Sequence, residues 1–190
     1  MPTEQGQILL AIARNAIAKQ FGQPFSAKTD APWLQEPGAT FITLMQGGEL
    51  RGCIGSLQAH RSLLEDVKAN AVAAAFRDPR FPPLQQADLN SISVEVSLLS
   101  PSTPLIFDSE QQALAQLRPN IDGVIFEYGS KRSTFLPQVW EQLPDPKTFM
   151  GHLKQKAGLE ANFWAASVKL SRYTVSKWKE PEPAREAKPV

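Results

Sequence analysis

Cysteine is nearly absent from this chain: Cys53 is the only one in 190 residues. An intrachain disulfide is thereby excluded, which fits a reducing compartment. Histidine is almost as scarce, with only His60 and His152. One thiol and two imidazoles argue against a zinc centre of the Cys/His kind, and no metal is expected. A surplus of charge is missing too. Twenty basic residues against nineteen acidic leave a net charge of +1, without the basic stripe that direct nucleic-acid binding draws on. No apolar run approaches the ~18 residues of a membrane span, and the N-terminus lacks the basic-then-apolar order of a signal peptide. A cytoplasmic protein with no membrane association is the expectation. Phosphate loop, nucleotide fingerprint, Gly-x-Ser-x-Gly elbow and HExxH motif are also lacking, so no cofactor is expected.

What remains is an ordinary globular composition, 42% hydrophobic and 21% charged. A chain of this length buries roughly 70% of its unfolded surface. Leu9, Ile12, Ala13, Ala16 and Ile17 recur at helical spacing and predict a helix over residues 4–20, which Gly22 can stop. Strands at about 39–46 and 49–56 flank Gly47-Gly48, a dipeptide suited to a tight hairpin turn. Ser62 and Glu65 form a capping-box pattern ahead of a helix that Asp78-Pro79 ends. Residues 91–99 alternate apolar and polar, the pattern of a half-buried strand with Glu95 among serines on the polar face.

A short helix follows near 109–117, then strands near 122–128 and 132–136 around Gly129-Ser130. Asp145-Pro146 opens a helix that Gly158 closes. Residues 167–178 read as one last strand whose apolar phase slips between Leu170 and Tyr173, the mark of a bulge. Residues 179–190 are charged and contain proline, and read as a disordered tail. Without a sustained βαβα rhythm, the fold class is α+β: a mixed, largely antiparallel sheet flanked by helices, two lobes in one compact domain over residues 1–178.

The chemistry concentrates at Arg51-Gly52-Cys53-Ile54-Gly55. A thiol, a guanidinium and two glycines lie within five residues, with Gly52 or Gly55 expected to mark a bulge. This strand is expected to line a cleft from which Cys53 is reached, with Arg51 or Arg80 beside the thiol. Cys53 has two readings. It is a thiolate nucleophile poised by a nearby cation, or a small hydrophobe buried on a strand. Arg80 pairs with Asp78 to hold the Pro79 turn, or presents its fork to an anion. Glu95 is a solvated charge, or a base if its face looks into a cleft. Phe81 reads as a core plug, Lys156 as a helix-end cation, and His152 as a surface residue.

Several segments, taken in order, carry a resemblance. They are Arg51–Gly55, Ala75-Phe76-Arg77-Asp78-Pro79-Arg80-Phe81, Glu95-Val96-Ser97-Leu98-Leu99, Asp122-Gly123-Val124, Thr134–Val139, Lys156-Ala157-Gly158-Leu159 and Trp164. Together they resemble the signature of the AMME chromosomal-region protein family, whose prokaryotic members are called AmmeMemoRadiSam system protein A. The resemblance implies an α+β unit with a larger and a smaller lobe, and it marks the Cys53 segment as the hallmark. It also implies association with a Memo-like protein and a radical S-adenosylmethionine enzyme. Many relatives carry a second cysteine where this chain has Lys154, so no mechanism using a cysteine pair is expected. The function that follows is an accessory protein with a ligand or peptide cleft. The alternative is a thiol-dependent enzyme with Cys53 as nucleophile and Arg51 or Glu95 assisting. A regulatory factor for nucleic-acid machinery, raised for eukaryotic relatives, fits the balanced charge least.

Overall fold

The computed structural model describes residues 3–183. Its helices are α1 (Glu4–Gln20), α2 (Leu63–Phe76), α3 (Glu110–Gln116) and α4 (Pro146–Lys156). Its strands are β1 (Ala39–Gln46), β2 (Glu49–Gly55), β3 (Ile92–Leu99), β4 (Thr103–Pro104), β5 (Gly123–Tyr128), β6 (Lys131–Phe135), β7 (Lys169–Tyr173) and β8 (Val175–Lys179). The chain forms two compact units. One runs up to Leu98 and resumes at Ser176; the other is Leu99–Val175. No helix among the described residues is long and apolar enough to cross a membrane.

In the first unit a four-stranded sheet, ordered β2-β1-β3-β8, carries α1 and α2. Thr3 caps α1 by accepting the Gly6 N–H at 3.2 Å. Ser62 caps α2 by accepting from Glu65 N–H, and its hydroxyl donates back to the Glu65 carboxylate. The core is built from Leu9, Ile12 and Ile17 of α1, Val67 and Ala71 of α2, and Ile42, Leu44, Val94 and Val96 of the sheet. Each such aliphatic side chain, fully buried, stabilises the fold by about 1.5–3 kcal/mol. The other face of β3 is more enclosed than its alternation predicts, since Ser93 and Ser97 are buried as well.

The second unit has a sheet ordered β4-β7-β5-β6, antiparallel at each pairing. Its core includes Phe126, Phe149, Met150, Leu153 and Trp140, with the last ring stacked on Phe149 at 3.7 Å. Asp145 caps α4 by accepting Thr148 N–H, and Pro146 stands at its first position. The α+β class and the antiparallel pairing are as the pattern predicts, with the strands divided between two sheets where one was expected.

Two expectations need correcting. The last strand is not one bulged strand: β7 pairs with β5 without a bulge from Lys169 to Tyr173, and the chain then enters the other sheet as β8. The tail does not begin at residue 179 either. Lys179 ends β8, and Glu180 is pinned through both carboxylate oxygens by Arg14, at 2.7 and 2.6 Å. Glu180 also accepts from the Val94 N–H and donates its own N–H to the Val94 carbonyl. Residues 184–190 of the expected tail lie outside the described residues.

Candidate functional site

The site begins with a hairpin. Gly47 and Gly48 both adopt positive φ, 60° and 84°, as a two-residue turn demands. Such a turn pairs Gln46 with Glu49 and Met45 with Leu50, and both pairs are found. The next pair is Leu44 with Gly52, so Arg51 is an extra residue on β2. The bulge therefore falls on Arg51, not on Gly52 or Gly55. Beyond it Cys53 stands opposite Thr43, and Ile54 opposite the core residue Ile42. Partners across a ladder share a face. Cys53 thus lies on the face away from the helices, half-buried, and the Thr43 hydroxyl donates to its sulfur at 3.4 Å.

The two glycines of the motif serve packing. A Cβ on Gly52 would lie 2.2 Å from the Ala74 carbonyl oxygen, so glycine lets α2 press onto the strand. A Cβ on Gly55 would lie 2.3 Å from the Phe41 ring.

β2 is an edge strand, and an unpaired edge is open to association with other chains. At Cys53 the edge is covered by side chains. Asp78 accepts the Cys53 N–H at 2.9 Å, and Arg80 Nη2 donates to the Cys53 carbonyl at 3.3 Å. Arg80 grips the same carboxylate twice, Nε to Oδ1 at 3.0 Å and Nη2 to Oδ2 at 2.7 Å. The Asp78 carboxylate is buried, while the Arg80 side chain is 54% exposed. Asp78 is held far below the usual carboxylate range, chiefly by the Arg80 hydrogen bonds, against the opposing cost of burial. Arg80 is raised in turn, chiefly by the Asp78 hydrogen bonds and against the cost of burial. Phe81 is half-buried and lies under Arg80 at 5.4 Å instead of plugging the core; Leu84 takes that place.

The predicted residues are thus only partly assembled. Cys53, Arg80, Gly52, Ile54 and Gly55 come together. Arg51 does not join them. Its charge reaches Asp88, whose carboxyl is lowered first by the Gln85 N–H, then by the Gln46 amide, with Arg51 adding least and burial opposing. Arg51 Nη1 is buried without a hydrogen-bond partner among the described residues.

Glu95 sits on the same sheet face as Cys53 but two strands away, roughly 10 Å at ordinary strand spacing. It pairs with Lys177 at 3.6 Å. His60 is exposed, with Nδ1 3.1 Å from the Gln58 carbonyl. His152 is exposed on α4, and Lys156 donates to the Thr134 carbonyl at 2.9 Å. Among the described residues no three His, Cys, Asp or Glu side chains are grouped to hold a metal ion.

Sequence reasoning missed two features. Thr43 becomes the neighbour of Cys53 only once the bulge is known. The second is a buried network behind the end of the hairpin. Asp66, fully buried, accepts from Thr40 N–H and hydroxyl, Ser56 hydroxyl, Arg61 Nε and Asn70 Nδ2, at 2.7 to 3.0 Å. The i, i+4 spacing of Asp66 and Asn70, on the packed face of a helix otherwise rich in alanine, was the available signal. With so many donors the carboxylate is satisfied, and its work is to lock α2 to β1.

The arrangement offers chemistry of a definite kind: a half-exposed thiol with a hydroxyl donor, beside a guanidinium whose charge is already balanced. Comparison with known proteins places it. The chain is 34% identical over 188 residues to a protein of Methanocaldococcus jannaschii, covering 96% of this chain and 94% of that one. A Methanothermobacter thermautotrophicus protein is 34% identical over 175 residues, with 90% and 91% covered. The crystal structure of an uncharacterized protein from Pyrococcus horikoshii superposes with a TM-score of 0.78 at 30% identity, over 96% of this chain and 95% of that one. Residues 10–178 match AMMECR1, and the chain belongs to the AMMECR1 family.

Proposed function

We propose that this protein works by recognition and not by covalent catalysis. It is read as a cytoplasmic accessory protein of the AmmeMemoRadiSam type, acting with a Memo-like protein and a radical S-adenosylmethionine enzyme. The contact surface is the Arg51–Gly55 strand together with the exposed guanidinium of Arg80. One observation carries this reading. Among the described residues the hydrogen bond at the Cys53 sulfur comes from a hydroxyl, with no carboxylate or imidazole in a base's position, and the adjacent cation is already neutralised by Asp78. A nucleophilic thiol needs the thiolate, raised by a base or by an unbalanced charge.

The rate of Cys53 alkylation against pH tests it, in the native protein and in Arg80→Gln. A midpoint near the ordinary thiol value of ~8.5 that stays put in the variant supports recognition. A midpoint well below it that rises in Arg80→Gln overturns the reading in favour of the thiol-dependent enzyme. That alternative has its own support in the half-exposure of Cys53 and the closeness of Arg80 to its carbonyl. Partnership is tested separately by calorimetric titration with the purified Memo-like protein. Association lost in Arg80→Glu is expected; heat of binding unchanged by that substitution removes this surface from the interaction.

A further inference from the structure

A concave site lies in the first unit, away from the Cys53 strand in sequence. It is a groove of about 200 Å³ between α1, α2 and the chain near residues 27–29. Its floor is apolar, formed by Ile12, Ala16, Ala27 and Val72. Ile12 belongs to the core itself, with Ala16 and Ala27 packed against it. The helical geometry explains why a hollow forms: Ala16, one turn on from Ile12, is too small to fill the space over Val72.

The rim carries charge of one sign. Lys19, from the last turn of α1, and Lys68, from α2, both border the groove and are both exposed. Lysines with a carboxylate in ion-pair range among the described residues are Lys28, Lys154 and Lys177, and neither Lys19 nor Lys68 is among them. Asn15, between them, accepts the Phe25 N–H through Oδ1 at 2.9 Å, which leaves its NH₂ group to donate. Gln20 and Thr29 also line the groove and can donate or accept, so the charged groups, both cationic, set its preference. An anion is what they suit.

An apolar floor under a cationic rim selects a molecule that is charged at one end and oily at the other. The volume falls below the ~300–1,000 Å³ of sites that enclose drug-sized ligands, so the occupant is small. A bare phosphate would leave the floor unused, and a neutral hydrocarbon would leave both ammonium groups without a counter-charge. We propose that this groove binds a short-chain fatty carboxylate, its head between Lys19 and Lys68 and its chain over Ile12, Ala16 and Val72. This site is independent of the strand edge at Cys53.

The test is a methyl NMR titration of the full chain with octanoate, set beside octylammonium, octanol and inorganic phosphate. Octanoate is expected to shift the methyl signals of Ile12, Ala16, Ala27 and Val72 to saturation. Octanol should do so at roughly tenfold higher concentration, and octylammonium and phosphate not at all. Lys19→Gln with Lys68→Gln, both at exposed positions, should weaken octanoate about tenfold while the spectrum elsewhere is unchanged. Ala16→Leu, which fills the hollow, should abolish the shifts. Absence of saturable shifts with octanoate overturns the proposal. So does equal binding of octanol or octylammonium, which would reveal an indifferent apolar crevice, or undiminished affinity in the double-lysine variant. Saturable shifts of the same signals with phosphate alone would replace it with a plain anion site.

Discussion

Asp78 in the first unit and Asp122 in the second are both buried carboxylates forked by an arginine a few residues away in sequence. Their remaining hydrogen bonds go to different ends. Asp122 takes the Arg118 N–H at 2.9 Å and the Arg118 guanidinium at 3.0 and 2.7 Å, and Arg172 stands 3.7 Å off. Its own carbonyl accepts the indole N–H of the buried Trp140 at 2.7 Å. Everything around Asp122 closes a loop onto its own core. Asp78 spends an oxygen on the Cys53 N–H, so its arginine reaches along a strand edge to the Cys53 carbonyl. The same local device closes a turn in one unit and finishes a sheet edge in the other. Arginine exposure does not separate them, at 48% for Arg118 and 54% for Arg80; the third partner does.

Substitution should pull the two apart. Asp122→Ala is expected to cost the most, about 3 kcal/mol in denaturant unfolding, since it strands two arginines and empties a fully buried position. Its Cys53 alkylation rate should match the wild type. A changed rate would mean that the second device is not confined to its own loop.

Asp78→Ala should cost less, about 1–3 kcal/mol, because it releases one arginine where Asp122→Ala releases two. Here alkylation of Cys53 should accelerate several-fold, since the guanidinium loses its counter-charge and favours the thiolate. Amide exchange at Cys53 should lose its protection in the same variant. Unchanged exchange would show that Asp78 does not hold the strand edge.

Acid should sharpen the contrast further. The folded value of Asp78 lies below its ordinary value of 3.8, so its contribution is complete above that value and is lost as pH falls toward the folded one. Thermal stability of the wild type should fall more steeply than that of Asp78→Asn below about pH 4. Parallel curves would contradict the assigned shift. Cys53→Ser should be the mildest change, within about 1 kcal/mol in thermal unfolding, because serine keeps the shape and the Thr43 hydrogen bond. A larger loss would make the sulfur a packing group.

Local signals were the legible part of the sequence. Ser62, Asp145, Gly47-Gly48 and the period of α1 each act within a turn or two, and each was found where expected. What escaped was set by contacts distant in sequence. Nothing near Thr174 announces that the chain changes sheets, because strand propensity is alike on both sides. Lys154 looks like a surface lysine on a helix end, yet it is 1% exposed, paired with Glu110 at 2.5 Å and 5.5 Å from the Trp164 ring centre. Its partners come from residues 44 positions before and 10 after. The Cys53 motif is legible as a segment, but the sequence offers both Arg51 and Arg80 as its cation, and only a fold-back of 27 residues singles out Arg80.

The extra residue on β2 has a consequence for how the thiol is encoded. If Arg51 were paired in the ladder like its neighbours, Cys53 would fall opposite Ile42, and Ile54 opposite Phe41. The sulfur would then point into the apolar interior and the isoleucine out of it. Whether this thiol meets solvent is therefore decided by one residue that steps out of the ladder between a glycine turn and a cysteine. Deleting Arg51 would remove the bulge and leave Cys53 opposite Thr43, whereas pairing every residue without a bulge would invert the strand's two faces. In this strand, exposure is written as a bulge.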